Sequence, residues 1–449
     1  MPSPSRPVNR QLRVIGPVPG PRSIALRERE ANWLAPGSQA IASYAGIVID
    51  SGSGCELTDV DGNRFLDLAA GICVAALGYA HPRYVAALSS QLASVHTGSF
   101  TTDARVRALE TIAAILPAGL DRIQLYSGGA EAVESAIRLA RAHTGKAEVL
   151  SFWGGFHGKT AGALAQMGSG FKKGLGPFAP AAHLSPYADC ARCPFRSTYP
   201  QCGLLCVEFL RDKLELETAG SLAAVLVEPM QGTAGNIIPP PDFLPAVAEV
   251  ARERGALLIV DEMITGFGRT GELFGVNHTN VEPDIMTVGK SLGAGFPVSA
   301  LVTRSDIART KPWSNPSFSS SSYGGNPLAA AAIAASVGII RSDGLAGNAR
   351  KVGAFLKQGL LELSERHPEL TAVRGEGLMI GFDLVVPGTR TLWDSPRCHA
   401  LFQALLRRGI LSMAYAPRVR VNPPLIITLH QAAEALSALE GALQEVARA

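Results

Sequence analysis

The sequence predicts an α/β protein: a mainly parallel central sheet with helices on both faces, plus a smaller α+β domain. Three observations carry that expectation. From Arg83 onward, segments of helical period alternate with short apolar runs of strand character, the pattern of a parallel sheet whose crossovers are helices. The run 256–260 is apolar at every position, as in a strand buried on both faces, and it ends in Asp261-Glu262. After Leu328 the alternation stops, and an Ala-rich helical stretch leads into mixed segments.

In chain order, residues 1–23 are rich in proline and read as an extended arm, ordered only where it packs on a neighbour. Residues 24–34 have the pattern of a short amphipathic helix. The run 56–68 reads as a hairpin, because Asp61-Gly62 is a strong two-residue turn between ELTDV and RFLDL. Helices are expected over 83–95, 103–116 and 130–143, and strands over 122–126, 148–152, 223–227, 256–260 and 284–288. Beyond them lie a helix over 329–340, strands over 378–385 and 419–421, and a last helix over 430–446. The expected division is 1–70 as arm and joining segment, 71–328 as the large domain and 329–449 as the small one.

Lys and Arg number 41 against 38 Asp and Glu, a net charge of +3, and no long basic run occurs. That balance argues against nucleic acid and acidic membrane surfaces as partners. No signal-peptide core and no unbroken apolar run of membrane-spanning length is present, so the chain reads as cytoplasmic. Seven cysteines, an odd number, fit free thiols better than a disulfide framework. Four of them, Cys190, Cys193, Cys202 and Cys206, fall in an insertion over 187–207 as C-x2-C-x8-C-x3-C. The pairing, though not the separations, is that of a tetrahedral zinc site. Plain thiols come first, zinc second and a redox-sensitive pair third, so no metal is assigned.

The chemistry centres on 284–300, DIMTVGKSLGAGFPVSA. Lys290 follows a strand-like run and precedes a glycine-punctuated one, which sets its amine at a strand end where a ligand can approach. Partial burial there lowers the pKa of a lysine, as Schiff-base formation requires. The plain alternative is a lysine reaching out to water. Upstream, Asp261 stands at the carboxyl end of its strand, where open α/β sheets place ligands, and a carboxylate there needs a cationic partner.

These two stretches are accompanied, in order, by the segments 54–82, 127–134 (SGGAEAVE), 156–160 (FHGKT), 228–232 (EPMQG), 323–328 (YGGNPL), 373–381 and 420–425. Together they resemble the class III, fold-type I aminotransferases dependent on pyridoxal phosphate (PLP), from about residue 40 to the end. That family includes 4-aminobutyrate and ornithine aminotransferases. The resemblance implies a PLP-transferase fold in which Lys290 holds the cofactor as a Schiff base and moves a proton during transfer. Asp261 would keep the ring nitrogen protonated, and Phe156 would stack on the ring.

The resemblance further places Ser127, Gly128, Gly129 and Ala130 at the cofactor phosphate, a helix start being a ready anion site. His157 would lie beside the ring, with no proton transfer assigned to it. Glu228, Gln231 and Ile264 fall at cofactor-site positions, Glu228 and Gln231 having loop organisation as their other role. Ser322 stands where the family has a threonine that reaches the phosphate of the neighbouring subunit, which implies a homodimer with shared active sites. Arg420 matches the arginine that binds a substrate carboxylate, with Arg418 as a competitor. Thr233 and Ile264 replace an acidic residue and a glutamine of 4-aminobutyrate-type members.

The implied reaction moves an amino group from an amino acid or ω-amino donor, 4-aminobutyrate-like donors included, to a 2-oxo acid such as 2-oxoglutarate or pyruvate. The alternative is an amino acid racemase or epimerase on the same fold. A non-catalytic scaffold built on the cysteine cluster is the rival outside enzymes. Ile72, Cys73 and Val74 are candidates for the substrate pocket.

Overall fold

The computed structural model describes residues 14–448. Its central sheet has seven strands in the order Arg122–Tyr126, Ser299–Thr303, Ile285–Val288, Leu257–Asp261, Leu222–Val227, Glu148–Phe152 and Ala182–Ser185. All five strands expected in this region are there, each within a residue of its expected ends. From Ile285–Val288 to Ala182–Ser185 every neighbouring pair is parallel.

Ser299–Thr303 is the exception, antiparallel to both its neighbours, and the sequence pattern did not mark it as a strand. The reason is the length of the connection. Only residues 289–298 separate it from Ile285–Val288, fewer than the dozen or so that a parallel crossover needs, so the chain must return antiparallel.

Strand alternation divides the core between two faces. Ala224, Leu226, Leu257, Ile259, Ile285 and Leu301 point to the face covered by helix Gly129–Thr144, through Val133, Ala136, Ile137 and Ala140. Val225, Val227, Leu258, Val260, Met286 and Val302 point the other way, into the cluster that holds Phe243, Leu244 and Val247 of helix Phe243–Glu253. The buried face of Gly129–Thr144 carries alanine at 132, 136 and 140, one per turn, which lets the helix lie close to the sheet.

Two smaller sheets complete the fold. The hairpin turns at Gly62, whose φ of 88° suits a residue without Cβ. Its strands, Glu56–Asp59 and Arg64–Asp67, are extended on one side by Ile49–Ser53 and on the other by Ile410–Leu411, pairing parallel with Arg64–Asp67. The start and the late part of the chain thus share a sheet. The third sheet is the antiparallel run Leu370–Glu376, Met379–Leu384 and Arg418–Val421. Helices Leu205–Glu217, Leu345–Arg366 and Ser395–Arg407 were not expected from the sequence.

Residues 1–13 of the expected extended arm lie outside the described residues. The remainder needs no neighbouring chain to hold it. Ile15 and Gly16 donate backbone N–H groups to Asn63 Oδ1 at 2.9 and 3.1 Å, and Arg22 and Ser23 donate to Asp61 at 2.8 and 2.9 Å. Helix Pro21–Ala31 begins inside the stretch read as arm. Among the described residues no single helix is long and apolar enough to cross a membrane.

Candidate active site

A cavity of about 350 Å³ opens at the carboxyl ends of the parallel strands, where such sheets place their ligands. Its wall includes Ser127, Gly129, Ala130, Phe156, His157, Asp261 and Lys290, seven of the residues singled out in the sequence. Val74, Gly158, Met263 and the run Gly295, Phe296, Pro297 and Val298 line the rest. That run lies within the stretch that carries Lys290, so proximity in sequence was the available signal for it. Met263 carried none: it follows Asp261 by two residues, and only the turn after the strand aims it inward.

Lys290 stands two residues beyond Val288 and is half-buried. Its φ of 46° lies in the left-handed region, uncommon for a residue with a side chain, and opens the short turn Lys290–Leu292. Strain held at one residue by the surrounding structure is a feature of functional positions. Before it, Gly289 leaves room for Met263: a Cβ there would lie 2.7 Å from Met263 Sδ and 3.3 Å from the Ser299 Cβ.

Asp261 is held on both carboxylate oxygens. Oδ1 accepts from the Met263 N–H at 3.0 Å, and Oδ2 pairs with His157 Nδ1 at 2.8 Å, both side chains being 1% exposed. Burial works against the His157 cation, but the hydrogen bond and charge of Asp261, with the charge of Glu228, outweigh it, and the histidine pKa is raised. His157 is therefore the partner that orients Asp261. A carboxylate has about four acceptor sites, so Asp261 keeps capacity for one further N–H from the cavity.

Phe156 presents its ring to the cavity and is fixed from behind. Its N–H donates to Glu228 Oε1 at 2.9 Å, and Glu228 Oε2 accepts from Gly232 at 3.0 Å. Burial pushes the Glu228 carboxyl up to about 7, the charge of His157 pulling it down and that of Asp261 adding to the rise. Glu228 does not line the cavity; it organises the loops that do. Gln231 acts likewise, its amide donating to Trp153 O at 2.9 Å. Phe171 packs edge-on against Phe156, ring centroids 5.6 Å apart.

Gly129 and Ala130 open helix Gly129–Thr144, so their N–H groups have no acceptor within the helix. The Ser127 and Gly128 N–H groups are taken by Glu131 Oε2 at 3.0 and 2.7 Å. Of the four residues assigned to a phosphate, Gly129 and Ala130 thus retain free donors, while Gly128 lies off the wall. Gly158 has a φ of 130°, and a Cβ there would lie 2.6 Å from the Ala130 Cβ.

Ile264, Ser322, Ile72, Cys73 and Arg420 are not on the wall of this cavity. Ile264 is packed with Cys73, Met230 and Met379, its Cδ1 2.2 Å from where a Gly232 Cβ would be. Ser322 is exposed on a loop. Of the pocket candidates Ile72, Cys73 and Val74, only Val74 reaches the wall.

The two arginines of strand Arg418–Val421 have separate environments. Arg418 donates to Asp189 Oδ2 at 2.8 Å and lies 3.4 Å from Asp383 Oδ1. Arg420, opposite Gly381 in the ladder, has no side-chain partner among the described residues. Arg418 is engaged in structure, whereas Arg420 is half-buried and does not line the cavity. The four cysteines of the insertion are all reduced. Among the described residues no group of three or more His, Cys, Asp or Glu side chains is placed to hold a metal ion, so nothing supports the zinc alternative.

Residues 39–443 match the family model for aminotransferase class-III. The chain belongs to the class III aminotransferases. A diaminobutyrate–2-oxoglutarate aminotransferase of Rhizobium meliloti is 34% identical to this enzyme, over 90% of this chain and 89% of that one. A leucine/methionine racemase of Thermococcus litoralis is 33% identical, over 90% and 92%. Among solved structures, a PLP-bound amine transaminase from an uncultivated Pseudomonas species superposes with a TM-score of 0.86 at 31% identity, covering 92% of this aminotransferase and 98% of that chain. The enzyme has the fold-type I architecture of these transaminases.

Proposed function

We propose that this aminotransferase binds PLP in the cavity around Lys290 and moves an amino group from an amino acid or ω-amino donor to a 2-oxo acid such as 2-oxoglutarate or pyruvate. The observation that carries the reading is the convergence on one wall of an amine, a buried carboxylate held by histidine, an aromatic ring and two unpartnered helix-start N–H groups. Each matches one part of the cofactor: aldehyde, ring nitrogen, ring face and phosphate. When bound, PLP supplies an aldehyde that condenses with amines and a ring that withdraws electrons from the substrate carbon.

The chain's own groups then have defined tasks. Lys290 Nζ would hold the cofactor's aldehyde carbon and would carry a proton to and from the reacting carbon. Asp261, oriented by His157, holds the proton on the ring nitrogen. Gly129 and Ala130 bind the phosphate through their N–H groups. Arg420 receives a substrate carboxylate through its guanidinium fork.

The same proposal includes a homodimer in which Ser322 serves the phosphate of the partner's site. Ser322 lies on the surface beside Tyr323, 66% exposed, and the adjoining segment carries Phe100, 87% exposed. The two segments are neighbours, Leu328 N donating to His96 O at 3.4 Å. Large aromatics so exposed on adjacent loops are apt to be covered by a second copy.

The racemase reading is retained because one relative carries that activity. A panel of 4-aminobutyrate, ornithine, lysine, β-alanine and common α-amino acids, each with and without 2-oxoglutarate or pyruvate, tests both. Acceptor-dependent formation of a new amino acid is the expected result. Loss of optical activity without an acceptor would replace transamination by racemisation.

A further inference from the structure

Cys190, Cys193, Cys202 and Cys206 border a single void of about 20 Å³, room for roughly one water-sized sphere. The turn Cys190–Arg192 that carries the first of them is fastened on both sides to the sheet of Arg420. Asp189 accepts from Arg418 at 2.8 Å. Arg192 approaches Asp383 at 3.6 Å and donates to Arg390 O at 2.8 Å, while Arg390 donates to Ala191 O at 3.0 Å. Asp383 is 1% exposed on its side chain and also binds Arg374 at 2.8 Å. Arg374 in turn donates to Gly235 O at 2.7 Å, on the loop that follows Gly232. The cysteine turn, the Arg420 strand and the loop pinned by Glu228 are therefore one connected polar assembly.

Burial, then the neighbouring Cys202 and Cys193, raises the Cys190 thiol to about 11. Burial likewise raises Cys206 to about 11, with Cys190 and Cys202 adding to the rise. The two arms of the loop meet at the void that all four side chains border.

We propose that this insertion is a thiol–disulfide site in which Cys190 joins Cys202, and that closing the bond shifts the strand carrying Arg420. The proposal rests on the assignment of Arg420 to the substrate carboxylate. In the reaction the two thiols lose two electrons and two protons, and a low-molecular-weight disulfide takes them up and leaves as two thiols. The new bond holds the sulfurs at about 2.05 Å, closer than any non-bonded contact, which draws Cys190 toward Cys202 and Asp189 with it. Arg418 then loses part of its anchor, two residues from Arg420. The expected effect is a KM for the carboxylate substrate raised about fivefold, with kcat changed less than about twofold, in keeping with the weakening of one partly exposed ion pair.

The test uses the PLP-loaded enzyme equilibrated with oxidised glutathione or with dithiothreitol. Denaturing titration should fall from the seven thiols of the chain to five, and peptide mapping should join Cys190 to Cys202. Cys190→Ser should lose both the bond and the KM response. Asp189→Asn should form the bond while its KM no longer responds to it. Three results overturn the proposal: seven thiols after oxidation, a stoichiometric metal that shields the four cysteines, or a bond that leaves KM unmoved. An Arg420→Leu enzyme with unaltered KM would instead overturn the carboxylate assignment, and the thiol count and peptide map would then judge the disulfide alone.

Discussion

His157 Nδ1 stands 2.8 Å from Asp261 Oδ2, and both side chains are shut off from solvent. The pair is distant in sequence and brought together by the sheet, because Asp261 ends one central strand and His157 follows the end of another. Replacing His157 by Phe leaves a buried carboxylate oxygen unpaired, a loss of about 1–3 kcal/mol. The expected outcome is PLP affinity reduced roughly tenfold or more, read by absorbance titration of the apoprotein. Unchanged affinity would remove His157 from its orienting role.

Lys290→Ala should lower steady-state turnover by at least about 10³-fold, since the variant loses both the anchor and the proton carrier. Stopped-flow measurement with the best donor from the panel checks this. Substantial turnover in the variant would sink the assignment.

Arg420 and Arg418 should separate by kind of defect. Arg420→Leu is expected to raise the KM of a 2-oxo acid by about 10–100-fold, a loss suited to a two-bond charged contact, with little change in melting temperature. Arg418→Leu leaves Asp189, 17% exposed, without its partner and removes one of the cations around the buried Asp383, so it should lower the melting temperature and raise that KM by only about fivefold. Steady-state kinetics and thermal denaturation of both variants decide it; equal KM effects would contradict the division.

Gly158→Ala introduces a Cβ 2.6 Å from that of Ala130 at a φ of 130°. Backbone strain and overpacking act together there, at about 1–3 kcal/mol each. Because Ala130 begins the helix assigned to the phosphate, PLP retention should fall along with stability. Calorimetry with and without PLP measures both, and a variant as stable as the parent would refute the tight approach.

Burial raises both Glu228 and Glu262 from 4.5 to about 7. Between those values the folded apoprotein binds more protons than the unfolded chain, so stability is greatest at the acid end of the window and declines as pH rises through it. The raised pKa of His157 acts in the same direction, its contribution being lost as pH climbs past the folded value. Chemical denaturation of the apoprotein at a series of pH values should show the decline, on the order of 1–3 kcal/mol. Glu262→Gln should flatten part of that slope although it lowers stability throughout; a slope that is unaffected would show that Glu262 is ionised in the fold.

Much of the central sheet was legible because a strand buried on both faces must be apolar along its length, as 222–227 and 257–260 are, with Thr287 the one interruption in 285–288. Position at a strand's carboxyl end sufficed to nominate Asp261 and Lys290. Ser299–Thr303 was hidden by the glycines before it, which mark a loop without saying in which direction the chain returns. Loop organisation was one of two roles open to Glu228, but its partner was not legible, since a hydrogen bond to the Phe156 N–H depends on two strands lying side by side.

Local pattern is encoded by periodicity and by residue type, so the amino-acid sequence alone determined five of the seven strands of the large sheet and its helix Gly129–Thr144, the hairpin at Asp61-Gly62, and the family of the lysine and aspartate. Partner choice is a matter of distance between segments far apart in the chain, and only the folded molecule decided it. It gave Arg418 to Asp189 and left Arg420 without a side-chain partner among the described residues, paired His157 with Asp261, and gathered four cysteines around one small void beside the strand that holds the arginine. The spacing to Pro423-Pro424 favours Arg420 over Arg418 in the sequence, and the fold supplies the physical difference: Arg418 faces carboxylates delivered by other segments.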